Sequence, residues 1–250
     1  MLEFKAHASG SSGNFYTVTD ANQTLAIECG LRFADLRRAL GFRVSELVGC
    51  LVSHGHADHS KAVPDLLRRG IDCYMSAGTA EALKVSGAGV RIVKAHERFT
   101  VGDWAVLPFD AVHDAEEPLG FVIAAGDERL LYLTDSAYCK YRFAGLTIIA
   151  LECNHSLALL RAGTMLEMVQ NRIIRNHMSL ETTLELLGAN DTSRVRETHL
   201  LHMSDGNADA QAFKVLVQEA TGKPVYVAFS SPNTTILGTS VMKAAVTAVK

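Results

Sequence analysis

The chain is predicted to fold as a layered α/β domain, with two β-sheets inside and helices outside. Strand-like runs cluster in each half of the 250 residues, and helical patterns fall between and after them. The run Leu47–Ser53 is almost continuously apolar, the mark of a strand buried on both faces. No linker-like stretch and no repeat at a fixed period interrupts residues 1–250, which are therefore read as one domain.

The elements follow in order. Leu2–Ala6, Phe15–Thr19 and Leu25–Glu28 read as short strands, separated by the turn-rich segments Ser9–Asn14 and Asp20–Gln23. Phe33–Leu40 has helical spacing, Leu47–Ser53 is the buried strand, and Lys61–Gly70 is a helix. Strands are expected at Asp72–Ser76, Arg91–Ala95, Trp104–Val112, Gly120–Ala125, Leu130–Thr134 and Thr147–Glu152. From Leu157 to Gly188 the pattern is helical; within it Ser179 is placed to cap a helix Leu180–Leu187 that ends at Gly188. Glu197–Leu201 returns to strand, Ala210–Thr221 is a helix, and Pro224–Phe229 is the last strand.

A net charge of −3 lacks the strong basic field of a non-specific nucleic-acid binder, although a local basic patch is compatible with it. The opening MLEFKAHASGSSGN has no charged-then-apolar leader, and no run approaches the roughly 20 apolar residues of a membrane span. A cytoplasmic protein without membrane contact is the expectation. Five cysteines without a C-x-x-C pair indicate neither a disulfide framework nor a thiolate zinc knuckle.

The histidines carry the chemistry. In S-H-G-H-A-D-H-S (Ser53–Ser60), His54 and His56 stand two apart just after a strand, so in extended backbone both rings project to one side and can share an ion. Asp58 and His59 follow where the next helix starts, after the chain has turned, and can face a second ion. Imidazole and carboxylate suit zinc, manganese or iron. With histidine at 10 of 250 positions, an H-x-H-x-D-H arises by chance in about one such chain in a thousand, which disfavours an incidental His-rich loop.

That motif, placed after a buried strand, resembles the signature of the metallo-β-lactamase-fold hydrolases, and the resemblance implies a four-layer αββα sandwich. It also implies further ligands: His113 in A-V-H-D, Asp135 in Y-L-T-D-S and His202 in H-L-L-H-M-S. On this mapping one ion takes His54, His56 and His113, the other takes Asp58, His59 and His202, and Asp135 bridges them. His199 competes with His202 for the last place; His202 is preferred because it ends the strand and precedes the turn Ser204–Asn207.

Ala8–Asn14 (A-S-G-S-S-G-N), Glu152–His155 (E-C-N-H) and His202–Asn207 (H-M-S-D-G-N) narrow the resemblance to the WalJ/YycJ branch, related to tRNase Z and PhnP-type phosphodiesterases. That branch acts on double-stranded DNA as 5′-to-3′ exonucleases. His177, in N-H-M-S, is similar to the histidine of the tRNase Z H-S-T segment that assists proton transfer. The chain departs from the family at Glu28 and Ser156, where Asp is usual. Ser12 and Asn14 sit in a Gly-rich turn that could cradle a phosphate, though turn formation alone also explains them.

The expected protein is thus a hydrolase with two divalent transition ions, zinc or manganese or else iron. A metal-bridging hydroxide attacks, Asp58 orients it, and His177 protonates the leaving oxygen. Its substrate is expected to be nucleic acid, above all DNA, or a smaller phosphodiester. The alternative is a carbonyl-ester or thioester hydrolase of the lactonase or glyoxalase II type, which shares the central motif.

Overall fold

Apolar residues two apart at the start of the chain, Leu2 and Phe4, become one edge of a sheet in the computed structural model, which describes residues 1–229. In this first sheet β1 (Glu3–Ala8), β2 (Phe15–Thr19) and β3 (Thr24–Ile27) are antiparallel, and β4 (Leu47–Leu51), β5 (Cys73–Met75) and β6 (Val90–Ile92) continue in parallel. The second sheet repeats the plan. There β7 (Phe99–Val101), β8 (Trp104–Asp110), β9 (Leu119–Ala125) and β10 (Glu128–Leu133) are antiparallel, and β11 (Ile148–Glu152), β12 (Glu197–Leu201) and β13 (Val225–Val227) extend it in parallel.

Parallel neighbours need crossover connections, and these contribute the helices. Helix α1 (Phe33–Ala39) precedes β4, α2 (Ala57–Ser60) and α3 (Val63–Leu67) precede β5, and α4 (Ala77–Leu83) precedes β6. Between β11 and β12 run α5 (Leu157–Ala162), α6 (Glu167–Asn176) and α7 (Leu180–Gly188), and α8 (Ala210–Thr221) leads into β13.

The inner faces of the two sheets share one buried cluster in which Tyr16, Leu25 and Ile27 meet Trp104, Phe121, Ile123 and Tyr132. Leu36 and Leu66 pack the helices of the first half on the outer face beside Phe15 and Cys50. Leu187, Phe213 and Val217 do the same for the second sheet, beside Leu131, Ile149 and Leu200. The result is the expected αββα sandwich. Trp104 is 1% exposed and its indole N–H donates to Asp20 at 2.8 Å; Trp104→Ala would cost about 3–5 kcal/mol. Among the described residues no helix is long and apolar enough to cross a membrane.

The structure differs from the sequence expectation in three places. The helical pattern of Leu157–Gly188 is three helices, broken at Gly163 and again around His177, whose backbone is extended. Ser179 holds the second break open: it caps α7 by accepting from Thr182 N–H, and Leu180 N–H donates to the His155 carbonyl at the end of the β11 segment. Neither α4 nor β7 was assigned from sequence. The β7–β8 hairpin turns through Gly102 and Asp103 with Val101 facing Trp104, and a three-residue strand is too short to show its alternation.

Candidate metal centre

The C-terminal ends of the parallel strands face one crevice, the place where open α/β sheets expose chemistry. His54 follows β4 within three residues; His56 is the extended residue before α2, and Asp58 and His59 lie in α2 itself. His113 comes from the loop after β8, Asp135 stands two residues past β10, and His202 follows β12 directly. Asp135 (φ 46°), His202 (φ 49°) and Glu28 (φ 60°) all adopt left-handed backbone, which turns each side chain sharply off its strand.

Three overlapping groups of donors result: the two expected sets, and a third of Asp135, Glu152, His177 and His202. One ligand atom each from His54, His56, His113 and Asp135 lies within 4.8 Å of the others, and the same holds for Asp58, His59, Asp135 and His202. His56 Nδ1 is 3.1 Å from both His54 Nε2 and His113 Nε2, near the edge length of about 3.3 Å expected when such nitrogens surround an ion at zinc distance. One lone pair on His56 cannot accept from two rings, so a shared cation explains the convergence better than hydrogen bonding. His113 donates its Nδ1 proton to the Asn176 carbonyl at 2.9 Å, which leaves Nε2 bare toward the cluster. In the second set His202 Nε2 is buried, has no hydrogen-bond partner among the described residues, and faces Asp58 Oδ2 at 3.6 Å. The residues present fit a pair of divalent ions.

Surrounding groups set the charge. Burial and the neighbouring His59 hold His54 well below its usual pKa, and burial lowers His113. Burial would lower His202 too, but Asp135, Asp58 and Glu152 outweigh it and push it up to about 10. Burial likewise opposes ionisation of Asp135, yet His202 and His59 keep it well below the carboxylate range. Around His59, desolvation lowers the pKa while Asp135, Asp58 and Glu28 raise it, with a net upward direction. The Asn14 amide contradicts a full charge there. Its oxygen accepts from Gly10 N–H and Tyr16 O–H, so its nitrogen faces an unprotonated His59 Nε2 at 2.9 Å, the lone pair that an ion would take over from the amide. That geometry makes His59 neutral, with its proton on Nδ1 toward Glu28 Oε2 at 3.6 Å.

Several positions have roles the sequence alone did not assign. Glu152, wholly buried, receives the Ser136 and Met178 N–H groups on Oε2 and lies 2.7 Å from His177 Nδ1 through Oε1. The signal for it was present: a glutamate ending the buried run I-I-A-L-E needs partners. Glu28 accepts from Tyr132 O–H and Ser53 N–H beneath His59. Ser156 caps α5 by accepting from Leu159 N–H, a task an Asp would also perform.

A cavity of about 300 Å³ opens over the cluster and is lined by His56, Asp58, His113, Asp135, His177 and His202, with Ser11, Arg172 and Asn176 among the others. Of the Gly-rich turn, it is Ser11 that reaches this lining. Asn14 is fully buried behind Asp58 and His59, and Ser12 is exposed outside the lining. His199 stays apart from the donor sets, its ring between Phe4 and Tyr226.

Known proteins agree with this architecture. The Beta-lactamase superfamily domain matches residues 23–203. Exodeoxyribonuclease WalJ of Streptococcus pneumoniae is 29% identical over 223 residues, spanning 82% of this chain and 83% of that one. Exodeoxyribonuclease YycJ of Bacillus anthracis is 26% identical over 221 residues, spanning 82% and 84%. In fold the chain is similar to the metallo-β-lactamase-fold protein YhfI of Bacillus subtilis, with a TM-score of 0.71 and 15% identity over 92% of this chain and 97% of that one. With most of its length matched by that domain and its donor residues converging as the fold requires, this chain belongs to the β-lactamase superfamily, as a metal-dependent hydrolase of the metallo-β-lactamase fold.

Proposed function

We propose that the protein is a binuclear phosphodiesterase that degrades DNA exonucleolytically from the 5′ end, with zinc or manganese in the two donor sets. His177 carries this reading. Its Nδ1 is held by buried Glu152 at 2.7 Å, its ring lines the cavity, and it stacks on His202 at 5.4 Å while meeting His113 edge-on at 5.5 Å. Burial would lower its pKa, but the Glu152 carboxylate prevails and raises it, which favours the protonated ring an acid requires.

A bound ion pair would furnish an activated water and offset charge developing on the phosphate. Asp58, 24% exposed at the cavity, is placed to orient that water. The water oxygen bonds to phosphorus and the bond to the leaving nucleotide oxygen breaks. With Nδ1 committed to Glu152, the Nε2 of His177 remains to protonate that leaving oxygen. A thioester expels a thiolate that needs no such acid, so a carboxylate-held imidazole favours the phosphodiester over a thioester. The names of WalJ and YycJ point the same way. All five cysteines are free and buried, which suits a reducing cytoplasm.

The test incubates metal-reconstituted protein with 5′-phosphorylated duplex DNA, single strands, RNA, bis-p-nitrophenyl phosphate, a thioester and a lactone, in Mn²⁺ and in Zn²⁺. Mononucleotides released from the 5′ end are expected. Thioester or lactone hydrolysis with intact phosphodiesters would install the carbonyl reading instead.

A further inference from the structure

Beside the metal-centre cavity lies a second one of about 460 Å³, lined by Asp114, Met168, Asn171, Arg172, Arg175 and Asn176. The two share Asp114, Arg172 and Asn176, so a ligand at the metal centre can continue along α6 without leaving a concave surface. The wall is charged with positive groups aimed at that path. Arg172 is 74% exposed and is steered by Asp114 Oδ2 at 3.3 Å, the other oxygen of which lies 3.4 Å from the Nε2 of His113. Arg175, three residues on and therefore on the same helix face, has no carboxylate partner among the described residues. Met168, 75% exposed, adds an apolar surface one turn before Arg172.

We propose that Arg172 and Arg175 grip successive phosphates of a nucleic-acid strand whose scissile phosphate lies at the metal centre, so that α6 selects polynucleotides over small phosphodiesters. This rests on the phosphodiesterase reading and deepens it. Residues three apart on a helix hold their Cβ atoms about 5–6 Å apart, and two long guanidinium arms from that spacing can follow neighbouring phosphates of one strand. An overall charge of −3 does not oppose this, because the grip is local. Met168 would lie under a base, and a nucleotide beyond the scissile bond would occupy the second cavity. A small diester such as bis-p-nitrophenyl phosphate reaches only the first.

The experiment uses metal-loaded protein and a fluorescent, non-cleavable phosphorothioate decadeoxynucleotide, with anisotropy read across a salt series. Arg175→Gln is expected to weaken binding roughly tenfold, the worth of a charge-assisted contact. It should also flatten the slope of log Kd against log salt by about 0.7, one phosphate contact on a single strand. In parallel, kcat/KM on a cleavable decamer should fall at least several-fold more than on bis-p-nitrophenyl phosphate, with metal content and Tm held as controls on folding. An unchanged salt slope, or equal losses on both substrates, would overturn the assignment of α6 while leaving the phosphodiesterase reading standing. Wild-type protein inert on every phosphodiester would instead remove that underlying reading. If Met168→Glu and Arg175→Gln change the mass in light scattering and not the salt slope, α6 covers a second copy of the chain and the proposal fails.

Discussion

The two donor sets share Asp135 but are built on opposite charge logic. In the His54–His56–His113 set, burial depresses His54 and His113, so these rings stand neutral with lone pairs ready. In the Asp58–His59–His202 set, carboxylates crowd His202 and hold a proton on it, and that proton occupies the place a cation would take. One site is preorganised by exclusion of water. The other is kept in shape by a surrogate positive charge that any ion must displace.

The sharpest way to break this comparison is to remove what joins the halves. Asp135→Asn keeps the shape but withdraws negative charge from both sets, and turnover should fall by about 10³-fold or more, the scale of losing charge stabilisation at a reaction centre. Metal content by mass spectrometry should drop below two per chain; wild-type turnover in that variant would mean another carboxylate bridges. Next in size, His177→Ala should slow DNA cleavage about 10²–10⁴-fold. It should spare metal content, because the ligand sets are complete without it, and the slowing should shrink on a p-nitrophenyl ester, whose leaving group needs little protonation. Metal loss in that variant would place His177 among the ligands.

A third experiment sharpens the contrast directly. Loading the His202 set at pH 7 should expel about one proton, so affinity there should rise about tenfold per pH unit until pH nears 10. The His54 set should change little between pH 7 and 9. Calorimetry with Zn²⁺ in buffers of different ionisation enthalpy counts the protons, and equal pH slopes at both sets would erase the distinction. The chelated protein should show the reverse. His202 lies above its ordinary 6.5, so its contribution to stability is full below about pH 6.5 and is lost as pH rises through about 10. The depressed carboxylates of Asp58 and Asp135 contribute above about pH 4 and lose it as acid protonates them. The Tm of chelated protein should therefore fall between pH 7 and 10. The smallest effect expected is for Asn14→Ala, which removes the amide that anchors the Asp58 carbonyl; affinity at that set alone should drop by about 10–100-fold.

How much of this was legible depends on how local each piece is. His54, His56, Asp58 and His59 were legible because strand geometry and a tight turn put them together within six residues. His113, Asp135 and His202 are separated from that motif by long stretches of chain, and only chain order in a resembling family suggested them. Glu152 ends a buried run and so needed partners, but which ones only the packing of β11, α6 and α7 shows, and Arg172 carries no local pattern that separates it from any exposed helix arginine. Asn14 shows the converse. Its turn was readable as a phosphate cradle, yet folding buries it as a strut for the ligands, because the loop closes onto α2 through Asn14 N–H and the Asp58 carbonyl at 2.7 Å.

The left-handed backbone at Glu28, Asp135 and His202 places strain at three defined points of the centre. Each stores about 1–2 kcal/mol that glycine would release. Asp and His are among the types that tolerate this conformation best, whereas Glu28 lacks that advantage. Glycine would relieve that strain and lose more: at position 28 it would orphan the Tyr132 O–H and Ser53 N–H, and at 135 and 202 it would remove the charge pairing that stabilises the chelated fold, so a variant library sorted only for heat resistance would still keep these side chains.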